Sequence, residues 1–107
     1  MATIAERVAR GAAYLDEREP GWDERIDLET LDLYAPCRCV LGQLATDLNR
    51  WGDVRARFGL RAAWMTDSRP TADALGFNVP DGEQQIHRQY LNLTAAWREL
   101  IEARRAA

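Results

Sequence analysis

Cys37 and Cys39 stand one residue apart, and His87 is the only histidine in the chain. Paired thiols with an imidazole are the raw material of a zinc site, a redox pair or an activated nucleophile. A structural zinc site draws four ligands, usually from two pairs spaced by two to four residues, and a C-x-C with one distant histidine falls short of that. A Cys37 to Cys39 disulfide would close a very small, strained ring. A thiolate at a helix start would gain from the free N–H groups there. Cys37, however, falls on an apolar stripe, where a cysteine behaves as a small hydrophobe. These residues imply no metal, no cofactor and no thiol chemistry, although a thiol- or metal-dependent protein using Cys37 and Cys39 stays open as an alternative.

The remaining catalytic patterns are missing. There is no glycine-rich phosphate loop, no G-x-S-x-G and no H-E-x-x-H, and one histidine leaves little from which to build a triad. Asp16/Glu17 and Asp23/Glu24 are adjacent acids, but neighbours on a helix point apart, so they do not form a general acid/base pair. The expectation is a protein that is not an enzyme.

Arginine and tryptophan offer more. The segment NRWGDVRARFGLRAAW interleaves Arg50, Arg55, Arg57 and Arg61 with Trp51, Phe58 and Trp64. Arginine with tryptophan is the composition of protein binding hot spots and of platforms on which bases stack. Arg50, Trp51, Arg55, Arg57, Arg61 and Trp64 are the expected partner-binding residues, with the core as the competing use of the rings. A protein partner fits better than a nucleic acid because the net charge is −3, which disfavours general phosphate binding.

Charge is also distributed unevenly. Residues 15 to 32 carry eight acids against Arg18 and Arg25, a balance of −6, whereas residues 50 to 64 balance at +3. Such runs either lie on separate solvated faces or neutralise one another across the fold. The acidic stretch could also address a basic partner. All fourteen basic residues are arginine, a bias that fits a GC-rich genome.

These residues need a scaffold. A chain of 107 residues, 47% hydrophobic and 29% charged, suits a single globular domain over residues 1–107. Thr3-Ile4-Ala5-Glu6 has the form of a capping box, and Ile4, Val8, Ala12 and Leu15 follow as one apolar stripe. Pro20-Gly21 should end that helix. Residues 22 to 35 predict short helical turns, capped by Asp23 or Asp27, with a strand over 26 to 33 as the alternative.

A core helix is predicted over about 36 to 50. Pro36 would take its first position, and Cys37, Val40, Leu41, Leu44, Leu48 and Trp51 would form its stripe. Gly42 costs such a helix up to about 1 kcal/mol, which implies a close neighbouring backbone. A shorter helix from Asp53 to Phe58 should follow. Residues 60 to 80 look like the mobile loop, with a helical turn from Thr71 to Leu75 ended by Gly76. Asp81-Gly82-Glu83-Gln84 again reads as a capping box, leading into a last helix with Ile86, Tyr90, Leu93, Trp97, Leu100 and Ile101 inside. On it Arg98 can pair with Glu102, and Arg104 and Arg105 suit the negative end of the helix dipole.

The fold class expected is all-α, a small single-domain bundle of three main helices plus short helical turns. No apolar run reaches the roughly 20 residues that cross a bilayer, and MATIAERVARGAAYLDERE lacks a secretory apolar segment. A cytoplasmic location is expected, and no membrane partner.

Taken together, VARGAAYLDEREPGWDERIDLETLDL, CVLGQL, Gly76-Phe77 and LTAAWRELI resemble a group of small proteins of actinobacteria and especially of their phages. The strongest pieces are GxxxLDExxPGWxxxID, from Gly11 to Asp27, and CVLGQL, from Cys39 to Leu44; the likeness is weakest between Asn49 and Thr71. The group has no established activity, so the resemblance implies a setting and no catalytic residues. It favours a host or phage protein as the partner.

Overall fold

The computed structural model describes residues 3–35, 38–46, 74–79 and 84–107. Thr3 opens helix α1, Ile4–Arg18. Its hydroxyl accepts from the Glu6 N–H at 3.1 Å, and the Glu6 carboxylate accepts from the Thr3 N–H at 3.1 Å. Two otherwise orphaned donors are thus satisfied reciprocally. Val8, Ala12 and Leu15 are buried and Ile4 is half-buried, which gives the predicted stripe. The helix stops where Pro20-Gly21 requires, with Gly21 at φ +83°.

A 3-10 turn, Trp22–Glu24, follows. Its cap is Gly21 in the left-handed region, not Asp23. Asp27 does close a turn, its Oδ1 accepting from the Glu29 N–H at 3.0 Å. The strand alternative for 26 to 33 fails: the segment runs through turns, and no strand occurs among the described residues.

Helix α2 spans Val40–Thr46 and begins later than the pattern implies. The reason lies in the Arg38 carbonyl, which accepts from the Asp32 N–H at 3.2 Å and from Gln43 Nε2 at 3.0 Å. The Gly42 N–H, which a longer helix would direct at Arg38, goes to Cys39 Sγ at 3.3 Å. Upstream the Cys39 N–H bonds to the Ala35 carbonyl at 3.0 Å, and the Gln43 N–H bonds to the Cys39 carbonyl at 2.8 Å as α2 begins. The first helical position of α2 is therefore Val40, and Pro36, expected there, lies outside the described residues. Cys37, Leu48, Trp51 and the short helix expected at 53 to 58 lie outside the described residues.

Residues 74–79 overturn the mobile-loop expectation for their part of the chain. Ala74 is helical and Gly76, at φ +74°, ends that turn as predicted. Phe77 and Val79 are then fully buried. An aromatic residue in a glycine- and proline-rich stretch can anchor it once another aromatic residue offers a stacking face. Phe77 stacks on Trp97 with ring centroids 5.5 Å apart and planes 11° apart.

Helix α3, Ile86–Ala106, buries Tyr90, Leu93, Trp97 and Ile101 as its spacing predicts, with Ile86 and Leu100 half-buried beside them. Of the capping box expected at Asp81-Gly82-Glu83-Gln84, only Gln84 falls among the described residues. Gln85 precedes the helix in the left-handed conformation, at φ 54° and ψ 50°, without a side-chain cap. Trp97 sits at the centre of the core, edge-on to Trp22 with centroids 5.7 Å apart. The fold is all-α, with the faces of α1, α2 and α3 buried in one hydrophobic cluster. Among the described residues no helix is long and apolar enough to cross a membrane.

Candidate functional site

Cys39 is the sulfur whose place is described, and it is structural in its contacts. It is not in a disulfide, is 5% exposed, and caps α2 by accepting the Gly42 N–H. A sulfur there does what a serine or aspartate oxygen does at other helix starts. His87 is exposed on α3, its ring centroid 4.8 Å from that of Tyr34. Among the described residues no group of three or more His, Cys, Asp or Glu side chains could hold a metal ion. The predicted partner-binding residues Arg50, Trp51, Arg55, Arg57, Arg61 and Trp64 all lie outside the described residues.

The acidic stretch finds its arginines on α3. Arg104 grips Asp16 with both terminal nitrogens, at 2.7 and 2.9 Å, and reaches Asp23 at 3.5 Å. Trp22 Nε1–H donates to the same Asp16 carboxylate at 2.9 Å, and the Arg104 guanidinium lies 5.6 Å from the Trp22 ring centroid. Hydrogen bonds from Arg104 and from Trp22 hold the Asp16 carboxyl below its ordinary range, and Asp16 raises Arg104 in turn. Arg105 donates to the carbonyls of Asp23 and Ile26, at 2.7 and 2.6 Å. Arg98 donates to that of Leu28 at 3.2 Å, where the sequence suggested Glu102. The arginines of the last helix thus bind the irregular 22–31 segment down, and Arg25 pairs with Glu19 at 2.7 Å.

A surface the sequence did not single out lies on α3 near its start. The loop before α2 is clamped at several points. The Asp32 N–H bonds to the Arg38 carbonyl, the Asp32 carboxylate accepts from the Tyr34 N–H at 3.0 Å, and the Leu33 N–H donates to Thr94 Oγ1 at 3.0 Å. Leu33 is buried as the anchor. Tyr34 is thereby held outward, 53% exposed, with its ring 5.0 Å from Tyr90 and against His87. Leu91, 69% exposed, is four residues from His87 and so shares its helical face. A fixed tyrosine loses little side-chain freedom on binding, so its contact area converts more fully into affinity. Nothing in LDLYAP reveals this, because exposure of a tyrosine follows from the clamp and not from its neighbours.

The chain is a small all-α protein. Comparison with protein-family models, with curated proteins and with solved structures gives no match for it.

Proposed function

We propose that this chain is a small non-enzymatic binding protein, cytoplasmic and phage-related by its motifs, whose target is a protein of the host or of the phage. The observation that carries the reading is the outward Tyr34, held by the Asp32 and Leu33 clamps and set against His87, whose helical face also carries the exposed Leu91. Large amphipathic and apolar side chains on a rigid mount are what a protein partner uses as hot spots. The Arg and Trp side chains of residues 50 to 64 supply the same chemistry by composition, and they form the second candidate contact.

Capture with the tagged chain from host lysate, followed by rebinding of each captured protein in purified form, tests the reading. Binding should fall at least tenfold for Tyr34→Ala/Leu91→Arg, with the helical circular dichroism unchanged. An Arg55→Glu/Arg57→Glu variant asks the same of the second contact. A purified partner that binds both variants as tightly as the native chain refutes the sites. Binding of DNA or RNA that weakens steeply with added salt would move the reading to the nucleic-acid alternative on the Arg50 to Trp64 segment.

A further inference from the structure

The irregular segment that follows the 3-10 turn runs antiparallel to α3 and is tied to one edge of it. Arg105 donates to the carbonyls of Asp23 and Ile26, at 2.7 and 2.6 Å. Arg98 donates to that of Leu28 at 3.2 Å and reaches that of Leu31 at 3.5 Å. Thr94 Oγ1 then accepts the Leu33 N–H at 3.0 Å, and the Tyr34 ring lies against Tyr90 and His87. His87, Tyr90, Thr94, Arg98 and Arg105 follow at helical spacing, so they share that edge. Residues 25–35 form neither helix nor strand, and main-chain groups so placed need partners of this kind.

We infer, on the reading of Tyr34 as the side chain a partner meets, that Thr94 is the positioning residue of that contact: its buried hydroxyl, and not the burial of Leu33, decides which way Tyr34 faces. Direction separates the two effects. Burial of the Leu33 side chain is a non-directional gain, compatible with a range of rotations of the peptide that joins Asp32 to Leu33. A hydrogen bond weakens steeply as it departs from a straight line. The Leu33 N–H belongs to that peptide, so bonding it to a fixed oxygen sets the plane from which the chain runs on into Tyr34.

Thr94 Oγ1 is such an oxygen. Its own hydrogen is donated to the Tyr90 carbonyl at 2.8 Å, which leaves its lone pairs for Leu33, and a β-branched side chain is stiff at χ1. At 7% exposure Thr94 is shielded from competing water. Tyr90 serves twice, orienting the hydroxyl through its carbonyl and receiving the Tyr34 ring on its own. The bond from the Tyr34 N–H to Asp32 Oδ1 is exposed and lies within the loop, so it shapes the turn without fixing it to α3. Arg98 and Arg105 act on carbonyls of Leu31 and earlier residues, through long flexible stems. They set the course of the segment and leave its last step to Thr94.

The native chain gives the first test. The Leu33 N–H should be protected from solvent exchange roughly tenfold or more beyond the Tyr34 N–H, as a buried bond against an exposed one; equal protection overturns the inference, and this test stands even if a variant fails to fold. His87 is the only histidine, so its ring-proton resonances report on the Tyr34 ring, and Tyr34→Ala at the same fixed pH gives their values with that ring removed. Thr94→Val keeps the side-chain shape without the hydroxyl and should carry the His87 resonances most of the way to those values. Thr94→Ser keeps the hydroxyl and should leave them native. Gly21→Ala lowers stability away from this edge and should also leave them native. A Thr94→Val variant with native His87 resonances overturns the inference, and so does a Thr94→Ser or Gly21→Ala variant that moves them as far. With a purified partner, Thr94→Val should weaken binding by a factor close to that of Tyr34→Ala, and Thr94→Ser should not. A partner that binds Thr94→Val at native strength although the His87 resonances have moved removes Tyr34 from the docking surface and leaves Thr94 its positioning role.

Discussion

Trp97 Nε1–H donates to the Gly76 carbonyl at 2.6 Å, joining the middle of the last helix to a residue 21 positions earlier. The bond works only because glycine occupies both Gly76 and Gly11. A Cβ on Gly11 would lie 2.0 Å from the Leu75 carbonyl oxygen and 2.9 Å from the Trp97 ring. A Cβ on Gly76, at φ +74°, would meet the Val8 nitrogen at 2.9 Å. Three chain segments therefore touch at main-chain distance around one indole.

Gly11→Ala is predicted to destabilise in spite of helix propensity. Alanine in the interior of α1 would gain about 1 kcal/mol over glycine, but overpacking against main chain costs about 1–3 kcal/mol or more, and the Leu75 carbonyl cannot rotate aside as a side chain could. The urea midpoint should fall with an unchanged slope. Gly21→Ala is the control: φ is +83° but nothing lies within 4 Å of the added carbon, so only the left-handed penalty of about 1–2 kcal/mol applies. Equal midpoints for Gly11→Ala and the native chain would show that the three segments are not in contact.

The part of this arrangement that was legible in the sequence is the part written locally. The Thr3 capping box, the Pro20-Gly21 stop and the apolar spacing of α1 and α3 depend on residues three or four apart, and they folded as read. The errors have one origin, which is competition from distant groups. Pro36 and the apolar stripe promised an earlier start to α2, but Asp32 and Gln43 occupy the Arg38 carbonyl. Gly76-Phe77 looked like loop until Trp97 supplied both a donor and a stacking face. The i, i+4 spacing pairs Arg98 with Glu102, whereas in the fold Arg98 donates to the Leu28 carbonyl, 70 residues away. For the candidate site, the composition of residues 50 to 64 pointed at arginine and tryptophan, while the exposed Tyr34 needed the folded clamp to become visible.

Acid should loosen the Asp16 junction. Its carboxyl lies below the ordinary range, chiefly through Arg104 and then through Trp22. The unfolded chain therefore takes up the proton first, so the contribution is complete above the unfolded value near pH 3.9 and is lost as pH falls through the lower folded value. The carboxylate is 46% exposed, which limits the pair to about 1 kcal/mol or less. Chemical denaturation of the native chain and of Asp16→Asn should differ by about that amount at pH 7 and converge at strongly acid pH. A constant gap down to acid pH would show that the asparagine acts through packing and not through charge.

Gln43 gives a sharper electrostatic test. Its Oε1 accepts from the Asp27 N–H at 2.7 Å, and its Nε2 donates to the carbonyls of Asp27 at 3.1 Å and Arg38 at 3.0 Å. One amide thus joins the CVLGQL motif to the end of the Gly11 to Asp27 motif. Gln43→Glu keeps the acceptor but turns both donor contacts into repulsion between a carboxylate and two carbonyl oxygens. It should cost more at pH 7 than Gln43→Ala, which strands partly solvated groups for about 1 kcal/mol. Protonation restores one donor, and the repulsion raises the folded-state carboxyl above the unfolded glutamate value of about 4.3, so the Gln43→Glu loss should shrink as pH falls through that raised value and be smallest below about pH 4. The same ordering of the two variants at every pH would remove the amide from its assigned role.

Cys39 caps α2 through its thiol. Its sulfur accepts the Gly42 N–H at 3.3 Å and is 5% exposed, so it serves as a helix cap from a shielded position. Cys39→Ala should cost about 1 kcal/mol, the usual worth of an N-cap acceptor. Cys39→Ser keeps an acceptor of the favoured type and should lose less, because the hydroxyl replaces the hydrogen bond while giving up some apolar burial. Shielding also sets the reactivity: in a Cys37→Ser background, alkylation near neutral pH should proceed only as fast as the α2 start opens, and should accelerate by orders of magnitude in denaturant. Rapid stoichiometric labelling of the folded chain would instead mark Cys39 as an accessible thiolate, and would restore the nucleophile reading that its burial and capping bond argue against.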